Sequence, residues 1–213
     1  MRRGRGDQTG TVLGALGLVG PAVAKTGRAW GDALGVLMHG KRAAADGLVA
    51  DGGTDAASAA ELERNADIVI LCVTGATQVE EVVLGHDGIV GGARQGLIVV
   101  DTSTSEPATT TRMREILAGQ SVRFVDAPLA RTPVEAALGR LNIMVGTDDD
   151  TFAQLRPTLE AFCENVIHAG PPGHGIVLKL INNFIAQAIC TATAEAVAAA
   201  PESGLADAKL HGA

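Results

Sequence analysis

"ADIVILCVTGATQVEEVVLG", residues 66–85, decides the fold. Its first eight positions are apolar nearly without a break, the pattern of a strand covered on both faces rather than one. "TQVEEVVLG" (77–85) follows with the spacing of a short amphipathic helix. The alternation then repeats. "GLIVVDTST" (96–104) reads as a second buried strand ending in hydroxyls, and "EPATTTRMREILAGQ" as a helix with Pro107 in its first turn and Gly119 near its end. "VRFVDAP" (122–128) and "RLNIMVG" (140–146) are further strands. "TDDDTFAQLRPTLEAFC" places acidic caps ahead of an amphipathic helix, and "NVIHAG" (165–170) closes the series. Strands alternating with helices predict an α/β domain, a doubly wound parallel sheet covered on both faces.

After Pro171 and Pro172 the character changes. Residues 176–200 predict one long helix rich in Ala and Ile, ended by Pro201 and Gly204. The boundary falls near 170: a Rossmann-like domain over 1–170, then a helix over 171–213 that begins a second, helical unit. Such an apolar helix needs a partner, either the sheet or another chain, so a homo-oligomer is expected.

Composition narrows the function classes. The 213 residues are 46% hydrophobic with 27 glycines, no Tyr, one Trp and four Phe, which suits an aliphatic, tightly turned interior. A net charge of −7 without a basic, aromatic-bearing face argues against nucleic acid. Cys72, Cys163 and Cys190 have no metal-ligand spacing, so no metal site is expected and the thiols are read as buried in a reducing compartment. The start "MRRGRG", the apolar run after it and the Ala22-Val23-Ala24 triplet also fit a secretory leader. The glycines in that run have another use, and a cytoplasmic chain is the expectation. No run reads as long enough to span a bilayer.

In "LGALGLVGP" (13–21), Gly17 and Gly20 sit where the second and third glycines of a G-x-G-x-x-G loop fall. The second lets backbone approach a pyrophosphate and the third lets helix and strand pack closely. Ala15 stands at the first position, with Gly14 before it, and only Thr11-Val12-Leu13 ahead of the loop are strand-like. Further on, "LGVLMHGKRAAA" offers Lys41 and Arg42 where a free ribose hydroxyl would call for Asp or Glu. The two cations favour a 2′-phosphate, hence NADP over NAD; a solvated basic turn is the other reading.

One residue stands out in "GHGIVLKLINN" (173–183): Lys179, on an otherwise apolar helix. Burial disfavours its charged form, a cost unless the proton is used. It could instead extend its ammonium to water.

Four stretches together resemble the β-hydroxyacid dehydrogenases, the family of 3-hydroxyisobutyrate dehydrogenase and tartronate semialdehyde reductase. They are the glycine loop at 14–20, "DTSTSEP" (101–107), "DAPLARTPVEAALGRLNIMVG" (126–146) and "GHGIVLKLINN". The resemblance implies a fold, a hydride-transfer chemistry with NADP or NAD, and roles for residues. Lys179 matches the catalytic lysine, a general acid/base. Asn183, one turn on, matches the asparagine that holds lysine and substrate. Ser103 and Thr104 match the hydroxyls at the nicotinamide end, with Ser103 also toward substrate, and Val73 and Thr74 match the loop beside the cofactor. Gly14, Ala15, Leu16, Gly17, Leu18, Val19 and Gly20 match the pyrophosphate loop. Ala130, Arg131 and Thr132 match the loop that grips the substrate carboxylate.

The chain departs from the family there and at its end. The family has Ser-Gly-Gly where this chain has Ala130-Arg131-Thr132, so Arg131 either holds an anionic substrate bidentately or pairs with Glu135; the site is favoured. Members also continue into a helical domain that closes the cleft, and "APESGLADAKLHGA" reads as a shortened version. The expectation is an enzyme interconverting a short β-hydroxy acid and its semialdehyde. The alternative is a non-catalytic relative that binds dinucleotide or a partner chain.

Overall fold

The computed structural model describes residues 10–13, 35–37, 46, 49, 54–59, 61 and 66–200. Three short strands come first: β1 (Gly10–Leu13), β2 (Gly35–Leu37) and β3 (Thr54–Asp55). They are followed by β4 (Ile68–Leu71), helix α1 (Ala76–Leu84), β5 (Ile98–Asp101), α2 (Pro107–Ala118) and β6 (Arg123–Asp126). The strands lie in the order β3-β2-β1-β4-β5-β6, every neighbouring pair parallel. This is the doubly wound dinucleotide-binding order, with the reversal of winding between β1 and β4.

The alternation of side chains explains the unbroken apolar runs. Ile68, Ile70, Ile98, Val100 and Val125 enter one core; Val69, Leu71, Val99 and Phe124 enter another on the opposite face. On the second face α1 and α2 supply Val79, Val82, Val83, Met113 and Leu117. Each such side chain, fully buried, contributes about 1.5–3 kcal/mol. Pro107 occupies the first turn of α2 and Gly119 follows its end, as the sequence predicts.

Beyond β6 the otherwise parallel sheet takes in an antiparallel turn of the chain. A two-residue strand β7 (Leu129–Ala130) and a five-residue helix α3 (Pro133–Ala137), neither expected, lead into β8 (Leu141–Gly146). β8 runs antiparallel to both β6 and β7. A right-handed crossover needs a helix long enough to cover the sheet. Residues 127–140 are spent on β7 and one short helix, so the chain reverses instead. Helix α4 (Asp149–Leu159) then returns the chain to β9 (Cys163–Gly170), parallel to β8. The Asp148 carboxylate accepts from the Thr151 amide at 2.8 Å and caps α4. That bond holds its carboxyl below the usual range.

The long helix is α5, His174–Ala199. It touches β6, β8, β9 and α2 near its start. Most of its apolar surface is open: Phe184 is 75% exposed and Ile189 62%. Cys190 on this helix is exposed too, against the expectation of three buried thiols; Cys72 and Cys163 are buried. Against the expectation that no run is long enough to span a bilayer, α5 is long and apolar enough to do so by length and composition.

Candidate active site

The carboxyl ends of β4, β5 and β6 lie side by side, and hydrogen bonds bind the loops that leave them. Thr102 donates to the Leu71 carbonyl twice, from its amide at 2.8 Å and its hydroxyl at 2.6 Å. The Ser103 hydroxyl oxygen accepts from the Val73 amide at 3.0 Å. The Leu129 amide in turn donates to the Thr102 carbonyl at 3.3 Å. Val73, Ser103 and the strand holding Ala130 are thereby joined into one edge. Thr74 and Thr104 are exposed beside them. Ser103 is buried, and its hydroxyl oxygen, which accepts from Val73, keeps its proton to donate.

Two aspartates that the sequence reading passed over hold this edge together. Asp101 and Asp126 end adjacent strands as register partners. The Asp101 carboxylate accepts from the Ser103 amide at 2.9 Å and the Ser105 hydroxyl at 3.2 Å. The Asp126 carboxylate accepts from the Gly173 amide at 2.7 Å and the Ile176 amide at 2.9 Å, so it seats the first turn of α5. Burial pushes both carboxyls up, against the pull of these bonds. Their signal was present: both follow apolar strand runs, "IVVD" and "RFVD", where the chain turns at the edge of the sheet.

The start of α5 is built for close approach. Gly173 has φ of +92° and turns the chain into the helix. A Cβ on Gly175 would stand 2.4 Å from the Met144 carbonyl oxygen and 2.6 Å from that of Asp126. With Gly175 and Ile176 buried, Lys179 one turn on is carried to the same face and is 9% exposed. Burial pulls its amine pKa down. Asn183, a further turn along, is half-buried on that face.

Arg131 is a correction. Its guanidinium pairs with Glu164 and donates to the Arg140 carbonyl at 2.7 Å. It does not pair with Glu135, which pairs instead with Arg140 at 2.9 Å. The residue nonetheless adopts φ of +84°, a conformation that favours glycine. The loop therefore keeps a glycine-type backbone at the position where the family has glycine. Thr132 is exposed and caps α3, its hydroxyl oxygen accepting from the Glu135 amide at 3.4 Å. Gly14, Ala15, Leu16, Gly17, Leu18, Val19, Gly20, Lys41 and Arg42 lie outside the described residues.

The parallel order and this edge define a nicotinamide dinucleotide-binding domain of the Rossmann type. A family model described as the NAD binding domain of 6-phosphogluconate dehydrogenase matches residues 12–170. Over 164 residues the chain is 35% identical to the NAD-dependent L-serine dehydrogenase of Pseudomonas aeruginosa, covering 77% of this chain and 55% of that protein. Over 159 residues it is 34% identical to the 3-hydroxyisobutyrate dehydrogenase of the same organism, covering 75% and 53%. Among solved structures, the 3-hydroxyisobutyrate dehydrogenase of Mycobacterium tuberculosis with L-serine superposes with a TM-score of 0.85 at 27% identity, covering 93% of this chain and 67% of that one. The chain belongs to the β-hydroxyacid dehydrogenase family. It spans about half the length of the curated relatives it matches.

Proposed function

We propose that the protein is an NAD(P)-dependent oxidoreductase interconverting a short β-hydroxy acid and its semialdehyde, with Lys179 as general acid/base. One observation carries this. Helix α5 leaves Phe184, Ile185 and Ile189 open while burying its lysine. Hydrophobic burial alone would favour the opposite face, because a charged amine loses hydration on burial and an exposed phenylalanine forgoes its transfer energy. No hydrogen bond or ion pair among the described residues compensates Lys179.

The hydroxyls at the carboxyl edge and the parallel strand order fit a dinucleotide. A bound nicotinamide supplies or takes the hydride. The neutral amine of Lys179 accepts the substrate hydroxyl proton in the direction of oxidation; its ammonium returns one to the carbonyl oxygen in reduction. A lowered pKa suits both. Asn183 would hold the lysine and substrate, and Ser103 would donate its free proton toward them. The backbone at 130–132, in its glycine-type turn, would take the substrate carboxylate through N–H groups. Val73, Thr74 and Thr104 would border the nicotinamide, the 14–20 loop the pyrophosphate, and Lys41 and Arg42 a ribose 2′-phosphate, hence the preference for NADP.

The domain boundary near 170, a cytoplasmic location and pairing with a second copy through α5 belong to the same reading. Relatives named as acting on serine and hydroxyisobutyrate support a small anionic substrate. The alternative, a chain that only binds dinucleotide or a partner, is favoured by the open face of α5. The deciding experiment assays NADP and NAD reduction with short β-hydroxy acids, for the parent and for Lys179→Ala. Turnover lost in the variant, with dinucleotide binding intact, supports the enzyme. Equal turnover in both removes the role of Lys179. No turnover with any substrate favours the binding-only alternative.

A further inference from the structure

We propose that Asp126 is the positioning residue for Lys179: its carboxylate clamps the first turn of α5 so that the amine one turn later faces the carboxyl edge of the sheet. This rests on the reading of Lys179 as the proton-transfer group. The clamp uses both carboxylate oxygens on two different amides, Gly173 at 2.7 Å and Ile176 at 2.9 Å, which bracket the first turn. Two contacts on one turn fix its rotation about the helix axis as well as its position. Lys179 follows Ile176 by three residues and Gly175 by four, so it shares their face.

The surroundings leave the clamp no slack. Gly146, the register partner of Asp126 on β8, has room for no side chain. A Cβ there would lie 2.6 Å and 2.7 Å from the Asp126 oxygens and 2.7 Å from the Gly175 amide. Gly175 is pressed against the Met144 carbonyl of the same strand. Farther along, α5 is largely open to solvent, so its direction is set at this end. A carboxylate at a helix N-terminus is also favoured by the helix dipole. Asp126 is 2% exposed, which removes competition from water. Strand register also brings the Asp101 carboxylate beside it, itself committed to Ser103 and Ser105.

A plain helix cap would stabilise α5 without governing the lysine, and the test separates the two. Competitive acylation of the whole chain, followed by mass spectrometry, reads the pH midpoint of Lys179 with the other lysines as internal references. It needs neither cofactor nor turnover. Hydrogen exchange at residues 173–177 reads the clamp. In Asp126→Asn one acceptor oxygen becomes a donor facing an amide. The Lys179 midpoint is then expected to move upward toward that of the reference lysines, with about a tenfold fall in its neutral fraction at fixed pH. Amide protection at 173–177 falls with it.

Gly173→Ala covers the case in which Asp126→Asn does not fold. Its Cβ meets nothing within 4 Å, so only the turn is strained, and a smaller shift in the same direction is expected. Amide protection lost in either folded variant with the Lys179 midpoint unmoved would overturn the proposal and leave Asp126 a cap. Neither result depends on turnover, so failure of the dehydrogenase reading shows separately, in the Lys179→Ala assay.

Discussion

Gly146 on β8 faces Asp126 on β6 as its register partner, and the missing side chain is the space through which the Asp126 carboxylate reaches the helix carrying Lys179. The sheet edge, the carboxylate and the start of the lysine-bearing helix are thereby packed into one assembly.

Gly146→Ala and Gly175→Ala are expected to destabilise the fold by about 1–3 kcal/mol or more, the scale of overpacking. The atoms that an added methyl would meet are backbone carbonyl and amide atoms and a committed carboxylate, which cannot swing aside. Denaturant melts of the two variants check this. Melting at the parent midpoint would mean that the helix end sits farther from β8 than described.

Lys179→Met is expected to stabilise the protein at neutral pH while removing the acid/base group. Burial lowers the folded pKa below the ordinary 10.5, so the folded state binds that proton less tightly than the unfolded. The cost is present in full below the folded value and fades as pH rises to the unfolded one. The gain from Met is therefore largest near neutrality, where the desolvation of the amine is felt in full. It shrinks as pH approaches 10.5. Thermal melts of both proteins across that window test it; a gain independent of pH would place the ammonium in water.

Ser103→Ala leaves the Val73 amide without its acceptor inside a buried edge. A loss of about 1–3 kcal/mol is expected. Calorimetric melting measures it, and a loss below that scale would show water reaching the Val73 amide.

Arg131→Gly is expected to leave stability within about 1 kcal/mol of the parent. Relief of the left-handed backbone, about 1–2 kcal/mol, is offset by glycine's greater chain entropy and by loss of a surface ion pair. KM for an anionic substrate should also hold, because the guanidinium is turned to Glu164. A tenfold rise in KM would return Arg131 to the site.

Much of this arrangement was legible in the residues alone. The apolar runs at 66–73 and 96–104 announced strands covered on both faces, because Ile68 and Val69 must point into different cores. Lys179 was legible because a lysine among Ile, Val and Leu contradicts its own solvation. The reversal at β8 was not, since "RLNIMVG" has the same apolar content in either direction and only the short span at 127–140 decides. Asp126 was hidden for a related reason. An aspartate ending a strand looks like any turn residue until an amide 47 positions later is brought to it. Arg131 misled because its charge suggested a ligand, while Glu164, 33 residues away in sequence, claims it.

The most direct test of the whole account is a calorimetric titration of the chain with NADPH and with NADH. Saturable binding of both, tighter for NADPH, is the predicted result, and it would place Lys41 and Arg42 at the ribose phosphate. No heat of binding from either at millimolar concentration would contradict the dinucleotide site, and with it the use proposed for Lys179.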